Sequence, residues 1–343
     1  MPELPEVETV RRGLVSALGP LLHGLNPERG RDVSQLPQVQ EWYFARENLR
    51  YPLPIDRLRS LVGSRLLALE RRSKYLLLYF VRDQSAIIPF TEFLRNIGTW
   101  GPNLGLCRVV IHLGMTGVLR LLPELPEIPG KHDHLWACIQ GCGTHYLLYN
   151  DVRRFGFWDY QDFSPSGGRF APLASLGPEP IPWEQYCEQA PITLALAASS
   201  GSNGKTNNPS LSLGQHLYGA SRKVGRKLKP WLLDGKAVCG VGNIYCSESL
   251  WLARLSPQRL ACTLSRKQAG TLGEAIEQII AAAIMAGGTT LRDFRSSAGK
   301  PGYFQQELRA YGREGENCLR CAGRIRKIVQ NQRATYFCPR CQK

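Results

Sequence analysis

Four cysteines near the C-terminal end restrict the fold of this chain more than any other feature of its sequence. They form the pairs Cys318-x2-Cys321 and Cys338-x2-Cys341, with sixteen residues between the pairs. Two knuckles at this spacing are typical of a tetrahedral zinc site with four thiolate ligands. A disulfide or a redox pair is the alternative, which a reducing compartment disfavours. We therefore expect a small ribbon that is folded by one structural zinc ion.

The charge of the ribbon region indicates a polyanionic partner. Residues 313–343 contain eight Lys or Arg and two Glu, a net charge of +6, and the whole chain has a net charge of +15. Nucleic acid is the first partner that such a field predicts, and a membrane surface is the second. A solvated charged surface is the alternative explanation for the ribbon. Alone, a basic zinc ribbon predicts only nucleic-acid binding.

Length and composition exclude several classes of protein. The chain has 343 residues and is 43% hydrophobic, enough for two or three folded domains and too apolar for a disordered chain. The longest apolar run, residues 75–81, is too short to span a membrane. Charged residues from Glu3 to Arg12 argue against a signal peptide, and the other seven cysteines follow no regular spacing. We therefore expect a reducing, cytoplasmic location.

The apolar pattern divides the chain into a β-rich part and a helical part. An amphipathic helix is predicted over residues 5–18. From about residue 60 to 159, short β-type runs punctuated by Gly and Pro indicate an antiparallel sandwich or barrel. These strands are predicted at residues 65–70, 75–81, 109–113, 118–122, 134–139 and 146–150.

Longer helical patterns occupy residues 181–300, notably 250–255 and 268–285, and predict a mostly helical second domain. Residues 199–210 are polar and rich in Gly and Asn, so they predict a flexible loop. Residues 25–57 and 83–107 show no regular pattern.

The first residues, MPELPEVETV, indicate catalysis as well as binding. Removal of Met1 exposes the amine of Pro2, and an α-amino group with a pKa of about 8 is partly unprotonated near neutral pH. Such an amine can act as a nucleophile. Glu3, Glu6 and Glu8 follow it in a strongly basic chain. Favourable charge in the first helical turn is the alternative, and it explains Glu6 and Glu8 better than Glu3.

With both ends considered, the sequence closely resembles the formamidopyrimidine-DNA glycosylase family, enzymes that excise 8-oxoguanine and ring-opened purines. The resemblance covers nearly the whole chain and fails at about 25–57, 83–107 and 190–215, where insertions or divergent loops are expected. Besides the N-terminus and the ribbon, it rests on RSKYLLLYF (72–80), IHLGMTG (111–117), KHDH (131–134), YNDVRRFGFW (149–158), LGPEP (176–180), KPWLLD (229–234), GVGNIYCSESL (240–250), GGTTLRDF (287–294) and GKPGYFQQELRAYGREGENC (299–318).

The resemblance implies an α+β multidomain fold. Residues 1–165 are expected to form an N-terminal antiparallel β-sandwich with an N-terminal helix. Residues 166–300 are expected to form a helix-two-turns-helix DNA-binding domain, and residues 301–343 a zinc ribbon. The implied partner is double-stranded DNA with an oxidised purine or an abasic site, bound in the cleft between the domains of a monomer.

The resemblance also implies a set of catalytic residues. Pro2 is expected to attack C1′ of a flipped nucleotide and form a Schiff base, with Glu3 protonating or orienting the opening sugar and Glu6 supporting the site. Lys74 is expected to contact phosphate and transfer a proton during β-elimination. Arg333 is expected to contact phosphate and aid δ-elimination. Without the resemblance, Lys74 is better explained as a surface lysine.

The DNA-binding residues implied by the resemblance fall into two groups. The wedge, which fills the space left by the flipped base, is Met115, Arg153 and Phe155. The residues that hold phosphates or contact DNA elsewhere are Lys229, Asn243 and His132. Alone, Met115 and Phe155 are more typical of a core, and Asn243 is equally typical of a turn or cap.

The remaining five histidines, His112 among them, form no metal pattern and are expected to be structural. Val152 replaces the proline that the family commonly has, which would affect only the rigidity of that loop.

Two other functions compete with this one. An endonuclease VIII type glycosylase shares the Pro2 chemistry but prefers oxidised pyrimidines. Leu4, the pair Met115 and Phe155, and the segment 287–294 favour the purine branch. A non-enzymatic, zinc-dependent protein that binds damaged DNA is the alternative from another class. It would retain the ribbon and the charge, but it has no need of Pro2 and Glu3.

Overall fold

The computed structural model describes residues 2–18, 36–46, 48–82, 92, 95–98, 103–141, 143–163, 171–182, 185, 192, 195–196, 211–289 and 303–343. The predicted loop at 199–210 lies outside these residues. So do the segments that contain the expected domain boundaries near 165 and 300, and these boundaries stay predictions.

In the described residues of the N-terminal part, the elements with defined bounds are one long helix, one short helix and eight strands. The helices are α1 (Leu4–Leu18) and α2 (Ile55–Arg59). The strands are β1 (Gln38–Phe44), β2 (Arg65–Arg72), β3 (Tyr75–Val81), β4 (Cys107–His112), β5 (Gly117–Leu122), β6 (Asp133–Gln140), β7 (Thr144–Asp151) and β8 (Phe157–Asp162).

The eight strands form one antiparallel sheet in the order β5-β7-β6-β1-β2-β3-β4-β8. Side chains from all eight strands share one apolar core with α1, so the two halves of the sheet face each other as in a sandwich. Residues of α1 enter this core at helical spacing, at Val7, Val10 and Leu14. The predicted N-terminal sandwich with its helix is confirmed.

Residues 25–57 show no regular pattern in sequence, but strand β1 and the start of helix α2 lie within them. A register shift between Val39 and Glu41 interrupts the pairing of β1 with β6. Such a bulge breaks the two-residue alternation by which a strand is recognised. Helix α2 has only five residues, too few for a periodic signal.

Helices dominate the second part of the chain, as predicted. They are α3 (Ala171–Ala174), α4 (Leu213–Ser221), α5 (Leu228–Leu232), α6 (Asn243–Leu252) and α7 (Arg266–Met285), with 3-10 turns at Ala261–Thr263 and Phe304–Glu307. The pattern at 250–255 is the end of α6 rather than a separate helix. Among the described helices, none has the length and apolar character needed to cross a bilayer. The C-terminal ribbon is a hairpin of β9 (Arg326–Gln330) and β10 (Arg333–Phe337).

Helix α1 connects the two apolar cores of the molecule. Leu4 is fully buried in the helical core, whereas Val7 belongs to the sandwich core. The backbone N–H of Leu4 donates a hydrogen bond to the carbonyl of Gly240 at 3.2 Å. The chain start is therefore fixed between the domains.

Parts of the divergent stretches cover the outer face of the sheet. Ile97, Leu106 and Ile192 are buried in a separate apolar cluster with Leu77 and Tyr79 of β3. These contacts give segments without a sequence pattern a structural role, since they shield one face of β3 from water.

Candidate active site and DNA-contacting surface

The carboxylate of Glu3 is buried at the N-terminal end of α6. Its Oε1 accepts a hydrogen bond from the N–H of Ile244 at 3.1 Å, and its Oε2 accepts one from Tyr245 at 3.4 Å. Gly242 permits this approach, because a Cβ there would lie 2.1 Å from Glu3 Cδ. The helix N-terminus stabilises the negative charge. Pro2 is buried directly before Glu3.

Glu6 lies next to Glu3 and is also buried. One oxygen accepts the Tyr245 hydroxyl and, at 2.7 Å, the N–H of Thr289. The other accepts the N–H of Glu3 at 2.8 Å. Burial, followed by the charge of Glu3, raises the pKa of Glu6 despite these donors. Glu6 therefore fixes the backbone of Glu3 and holds a proton more readily than an exposed glutamate.

Lys74 lies half-buried in the turn between β2 and β3. Burial lowers the pKa of Lys74, and the charge of Arg333 lowers it further, whereas Glu3 and Glu6 oppose the shift. A lysine with a lowered pKa can exchange a proton more readily near neutral pH. Lys74 is therefore near enough to Glu3 and Arg333 for their charges to affect its pKa.

A buried ion-pair network holds the Lys74 turn. Ser73 has a φ of +58°, which is unusual for a residue other than glycine. Its N–H donates to Glu179 at 2.7 Å, and Arg71 and Arg72 each donate to Glu179 at 2.8 Å. Burial opposes ionisation of Glu179, but the two arginines outweigh it and lower its pKa to about 2. Glu179 belongs to the LGPEP segment, to which sequence reasoning assigned no role.

Lys229 and Asn243 both bind the ribbon hairpin. Lys229 Nζ donates to the carbonyl of Ala334 at 3.1 Å and to Ser247 Oγ at 2.9 Å, and Asn243 Nδ2 donates to the same carbonyl at 3.0 Å. Lys229 is only 1% exposed. Burial lowers its pKa to about 8. The two side chains thus hold the residue that follows Arg333.

Arg333 begins β10 and is exposed. The hairpin turn before it places Asn331 and Gln332 at φ of +47° and +60°. Two successive left-handed residues are typical of a type I′ turn. This tight turn and the anchored carbonyl of Ala334 fix the backbone around Arg333, whose charge contributes to the lowered pKa values of Lys74 and Lys229.

The wedge residues lie on two adjacent loops. Met115 and Phe155 are half-buried and belong to none of the described apolar cores, and Arg153 is exposed. The Arg153 guanidinium lies 5.1 Å from the centroid of the Phe155 ring. The two side chains therefore lie outside the described cores, and their role as a wedge stays a prediction. His132 is half-buried nearby, and its carbonyl accepts the N–H of Asp151 at 3.0 Å.

His112 lies between the wedge and Lys74, although sequence reasoning treated it as structural. Its Nδ1 accepts the N–H of Gly114 at 3.1 Å, in the turn that carries Met115. Burial and then the charge of Lys74 lower its pKa to about 4, so the imidazole is neutral at physiological pH. In the sequence, the one feature that indicates a role for His112 is its position inside the IHLGMTG motif at residues 111–117.

The four ribbon cysteines meet in space. Their sulfur atoms all lie within 4.8 Å of one another, with Cys318 and Cys341 3.8 Å apart. A tetrahedral zinc ion with Zn–S bonds of about 2.3 Å requires such separations. Burial raises the pKa of Cys318, but N–H donors, including Trp251 Nε1 at 3.3 Å, outweigh it and lower the pKa to about 6. The donor set fits structural zinc.

Helix α6 joins the catalytic region to the ribbon. Near its N-terminus it binds Glu3, and near its C-terminus Trp251 contacts Cys318. Between them, the buried carboxylate of Glu248 accepts three backbone N–H groups, from Arg309, Ala310 and Tyr311, at 2.7 to 2.9 Å. The position of the ribbon is therefore coupled to the position of the buried carboxylates.

The combination of a sandwich, a helical part and a four-cysteine ribbon around buried carboxylates is typical of a base-excision type of DNA enzyme. Family models agree with this class over most of the chain. They match the N-terminal domain of formamidopyrimidine-DNA glycosylase at residues 1–158, its H2TH domain at 212–295, and a zinc finger found in FPG and IleRS at 315–343. The chain belongs to the formamidopyrimidine-DNA glycosylase family.

Similar proteins cover the full length. The formamidopyrimidine-DNA glycosylases of Sodalis glossinidius and Pectobacterium atrosepticum are each 38% identical to this chain, with complete coverage of both sequences. A solved structure of Lactococcus lactis FPG with DNA containing Fapy-dG has a TM-score of 0.71 at 28% identity. A MutM structure with DNA containing carbocyclic 8-oxo-G has a TM-score of 0.70 at 29% identity. Both structures cover 100% of each chain.

Proposed function

We propose that this protein removes oxidised purines, 8-oxoguanine and formamidopyrimidines, from double-stranded DNA and then cleaves the strand at the abasic site. The observation that carries the proposal is the burial of Glu3 and Glu6 beside Pro2, between the sandwich and α6. A protein that only binds DNA gains nothing from two buried carboxylates next to its N-terminal amine. The DNA complexes of Lactococcus lactis FPG with Fapy-dG and with an abasic site support the same substrates.

The roles of the site residues follow from their surroundings. The amine of Pro2, freed by removal of Met1, attacks C1′ as the bond to the damaged base breaks and loses its proton. The C1′–O4′ bond then breaks, O4′ takes up a proton, and the opened sugar is joined to Pro2 as an iminium. Glu3, held by the first backbone N–H groups of α6, protonates or orients the opening sugar. Glu6, whose pKa is raised, supports the Glu3 backbone.

Lys74, with its lowered pKa, moves a proton in β-elimination. Arg333 is exposed on the ribbon hairpin, where its charge can stabilise the departing phosphate in δ-elimination. Lys229 and Asn243 set the position of the hairpin and, with His132, contact the DNA backbone. The wedge residues Met115, Arg153 and Phe155 occupy the gap in the duplex.

The finer properties of the partner and cofactor belong to the same proposal. One zinc ion is held by Cys318, Cys321, Cys338 and Cys341, and it folds the ribbon without entering the reaction. The protein acts on DNA as a monomer in a reducing, cytoplasmic compartment. In support of the compartment, none of the nine described cysteines forms a disulfide.

An endonuclease VIII type specificity is the second function to test. One Lactococcus lactis FPG structure contains DNA with an oxidised pyrimidine, so that protein accommodates both kinds of lesion in a crystal. The choice between the branches for this chain therefore depends on rates rather than on binding alone.

Borohydride trapping on matched duplexes tests the proposal. Duplexes with 8-oxoguanine, an oxidised pyrimidine or an undamaged guanine at one position are incubated with the protein and borohydride. We expect a covalent complex to form fastest with 8-oxoguanine and not at all with guanine. Faster trapping on the pyrimidine lesion would establish the endonuclease VIII type. Binding of the damaged duplexes without any trapping would establish the non-enzymatic alternative.

A further inference from the structure

The two loops that carry the wedge are joined by hydrogen bonds to one buried carboxylate and one hydroxyl. One loop is the turn between β4 and β5, with Met115 and Thr116, and the other connects β7 to β8, with Arg153 and Phe155. Because the segments are 37 residues apart in sequence, their relative position depends on tertiary contacts. The resemblance to the family implies no function for those contacts.

Asp151, the last residue of β7, is the centre of this arrangement. It is fully buried, and its Oδ1 accepts the hydroxyl of Thr116 at 2.6 Å. Its Oδ2 accepts the N–H of Gly156 at 2.8 Å and the hydroxyl of Tyr149 at 3.2 Å. One carboxylate therefore binds both wedge loops and the strand that precedes one of them.

Thr116 completes the connection. While its Oγ1 donates to Asp151, it also accepts the backbone N–H of Arg153 at 2.9 Å. Thr116 is only 7% exposed, so these hydrogen bonds are shielded from water. The hydroxyl thus links the residue after Met115 to the backbone of a wedge residue.

The backbones of the two loops are also in direct contact. A Cβ on Gly114 would lie 2.4 Å from the carbonyl carbon of Phe155 and 2.4 Å from the nitrogen of Gly156. Gly114 has a φ of +64°, which suits glycine. At such a short separation, a small movement of one loop displaces the other.

We propose that Thr116 and Asp151 form a latch that fixes the relative position of the wedge side chains before DNA is bound. The latch residues do not touch the substrate and are positioning residues for base extrusion. The inference rests on the proposed function, since it needs a wedge that supports an extruded base. A prearranged wedge loses less conformational entropy when it enters the duplex. A pre-formed abasic site has no base to extrude, so its cleavage depends little on the latch.

The test compares three variants in single-turnover assays on 8-oxoguanine duplexes and on abasic duplexes. Thr116→Val keeps the shape of the side chain and removes the hydroxyl. Thr116→Ser restores the hydroxyl. Thr144→Val is the matched control, because Thr144 is exposed at the opposite end of β7, the strand that ends at Asp151.

Thr116→Val is expected to slow excision of 8-oxoguanine about tenfold while abasic cleavage stays within about twofold of wild type. Thr116→Ser and Thr144→Val are expected to retain both activities. Fluorescence of 2-aminopurine placed next to the lesion reports unstacking directly, and its rise should slow in Thr116→Val alone.

Three outcomes overturn the latch. The first is wild-type activity of Thr116→Val on both duplexes. The second is an equal loss of both activities in Thr116→Val while zinc content and melting temperature are unchanged. The third is a Thr116→Ser variant that does not restore excision. Failure of the proposed function itself looks different, because wild-type protein would then show no excision of 8-oxoguanine.

Discussion

Glu3 Oε1 accepts a hydrogen bond at 3.1 Å from the backbone N–H of Ile244, which lies 241 residues later in the chain. This contact joins the buried N-terminal residues Pro2 and Glu3 to the first turn of α6. Because α6 also binds the ribbon through Glu248 and Trp251, the buried carboxylates and the ribbon form one connected structure.

The Glu179 network is expected to stabilise the fold strongly. Glu179→Gln removes the carboxylate that Arg71 and Arg72 share, while Arg71 keeps its buried pair with Glu8, and breaking a buried pair typically costs about 3 to 5 kcal/mol. Urea unfolding at neutral pH measures the loss in the free energy of unfolding. Glu314→Gln is the control, because its pair with Lys327 is exposed and should contribute less than about 1 kcal/mol.

The same network predicts a pH dependence. The pKa of Glu179 falls from 4.5 to about 2 on folding. The ionised carboxylate therefore contributes fully to the free energy of unfolding above pH 4.5, and this contribution is lost as the pH falls toward 2. The stability difference between wild type and Glu179→Gln should therefore shrink over this range. A difference that stays constant would show that the carboxylate charge is not the cause.

Removal of one zinc ligand should unfold the ribbon. Cys338→Ser leaves three thiolates, so metal content should fall from about one ion per chain to nearly none, and DNA affinity should fall about tenfold or more. Metal analysis and fluorescence anisotropy measure the two effects. Cys262→Ser is the control, since Cys262 lies outside the cysteine cluster. Unchanged metal content in Cys338→Ser would show that the ligands are elsewhere.

The wedge should matter for base removal more than for strand cleavage. The double variant Met115→Ala with Phe155→Ala loses support for the extruded base, worth a few kcal/mol per unstacked step. Excision of 8-oxoguanine should fall about a hundredfold or more, whereas abasic cleavage falls much less. Val62→Ala changes an exposed apolar residue and serves as the control. Equal loss of both activities in a folded, zinc-loaded variant would contradict the wedge assignment.

Lys229 should make DNA affinity sensitive to alkaline pH. Its pKa is lowered to about 8, so its positive charge is present below this pH and is lost above it. The ratio of wild-type affinity to that of Lys229→Met should be largest at about pH 6.5 and should approach a small constant at about pH 9.5, where the wild-type amine is neutral. Anisotropy titrations at fixed salt measure this ratio. An equal ratio at both pH values would assign Lys229 a role independent of its charge.

The sequence predicted those parts of the molecule whose signal is local. Helix α1, strand β3 and the cysteine ribbon each have a periodic or spaced pattern, and the structure confirms them. Strand β1 escaped prediction because its bulge breaks the alternation. Helix α2 is too short to show a periodic pattern in the sequence. The burial of Ile97 and Ile192 could not be predicted from their neighbours in sequence, because it depends on the sheet that they cover.

The residues of the candidate site divide in the same way, into those with a local sequence pattern and those without one. Pro2 and Glu3 were found through a motif, and the cysteines through their spacing. Glu179 and Asp151 were missed as functional residues because what distinguishes them is burial among partners from distant segments. Such residues are recognised only when distant segments are seen together.

Identification of the trapped residue tests the central claim most directly. After borohydride reduction on an 8-oxoguanine duplex, protease digestion and mass spectrometry locate the deoxyribose adduct. The account predicts that the adduct is on the peptide that begins at Pro2, on the α-nitrogen, and that acetylation of the N-terminus abolishes trapping without abolishing DNA binding. An adduct on Lys74 or another lysine, or undiminished trapping after acetylation, would contradict it.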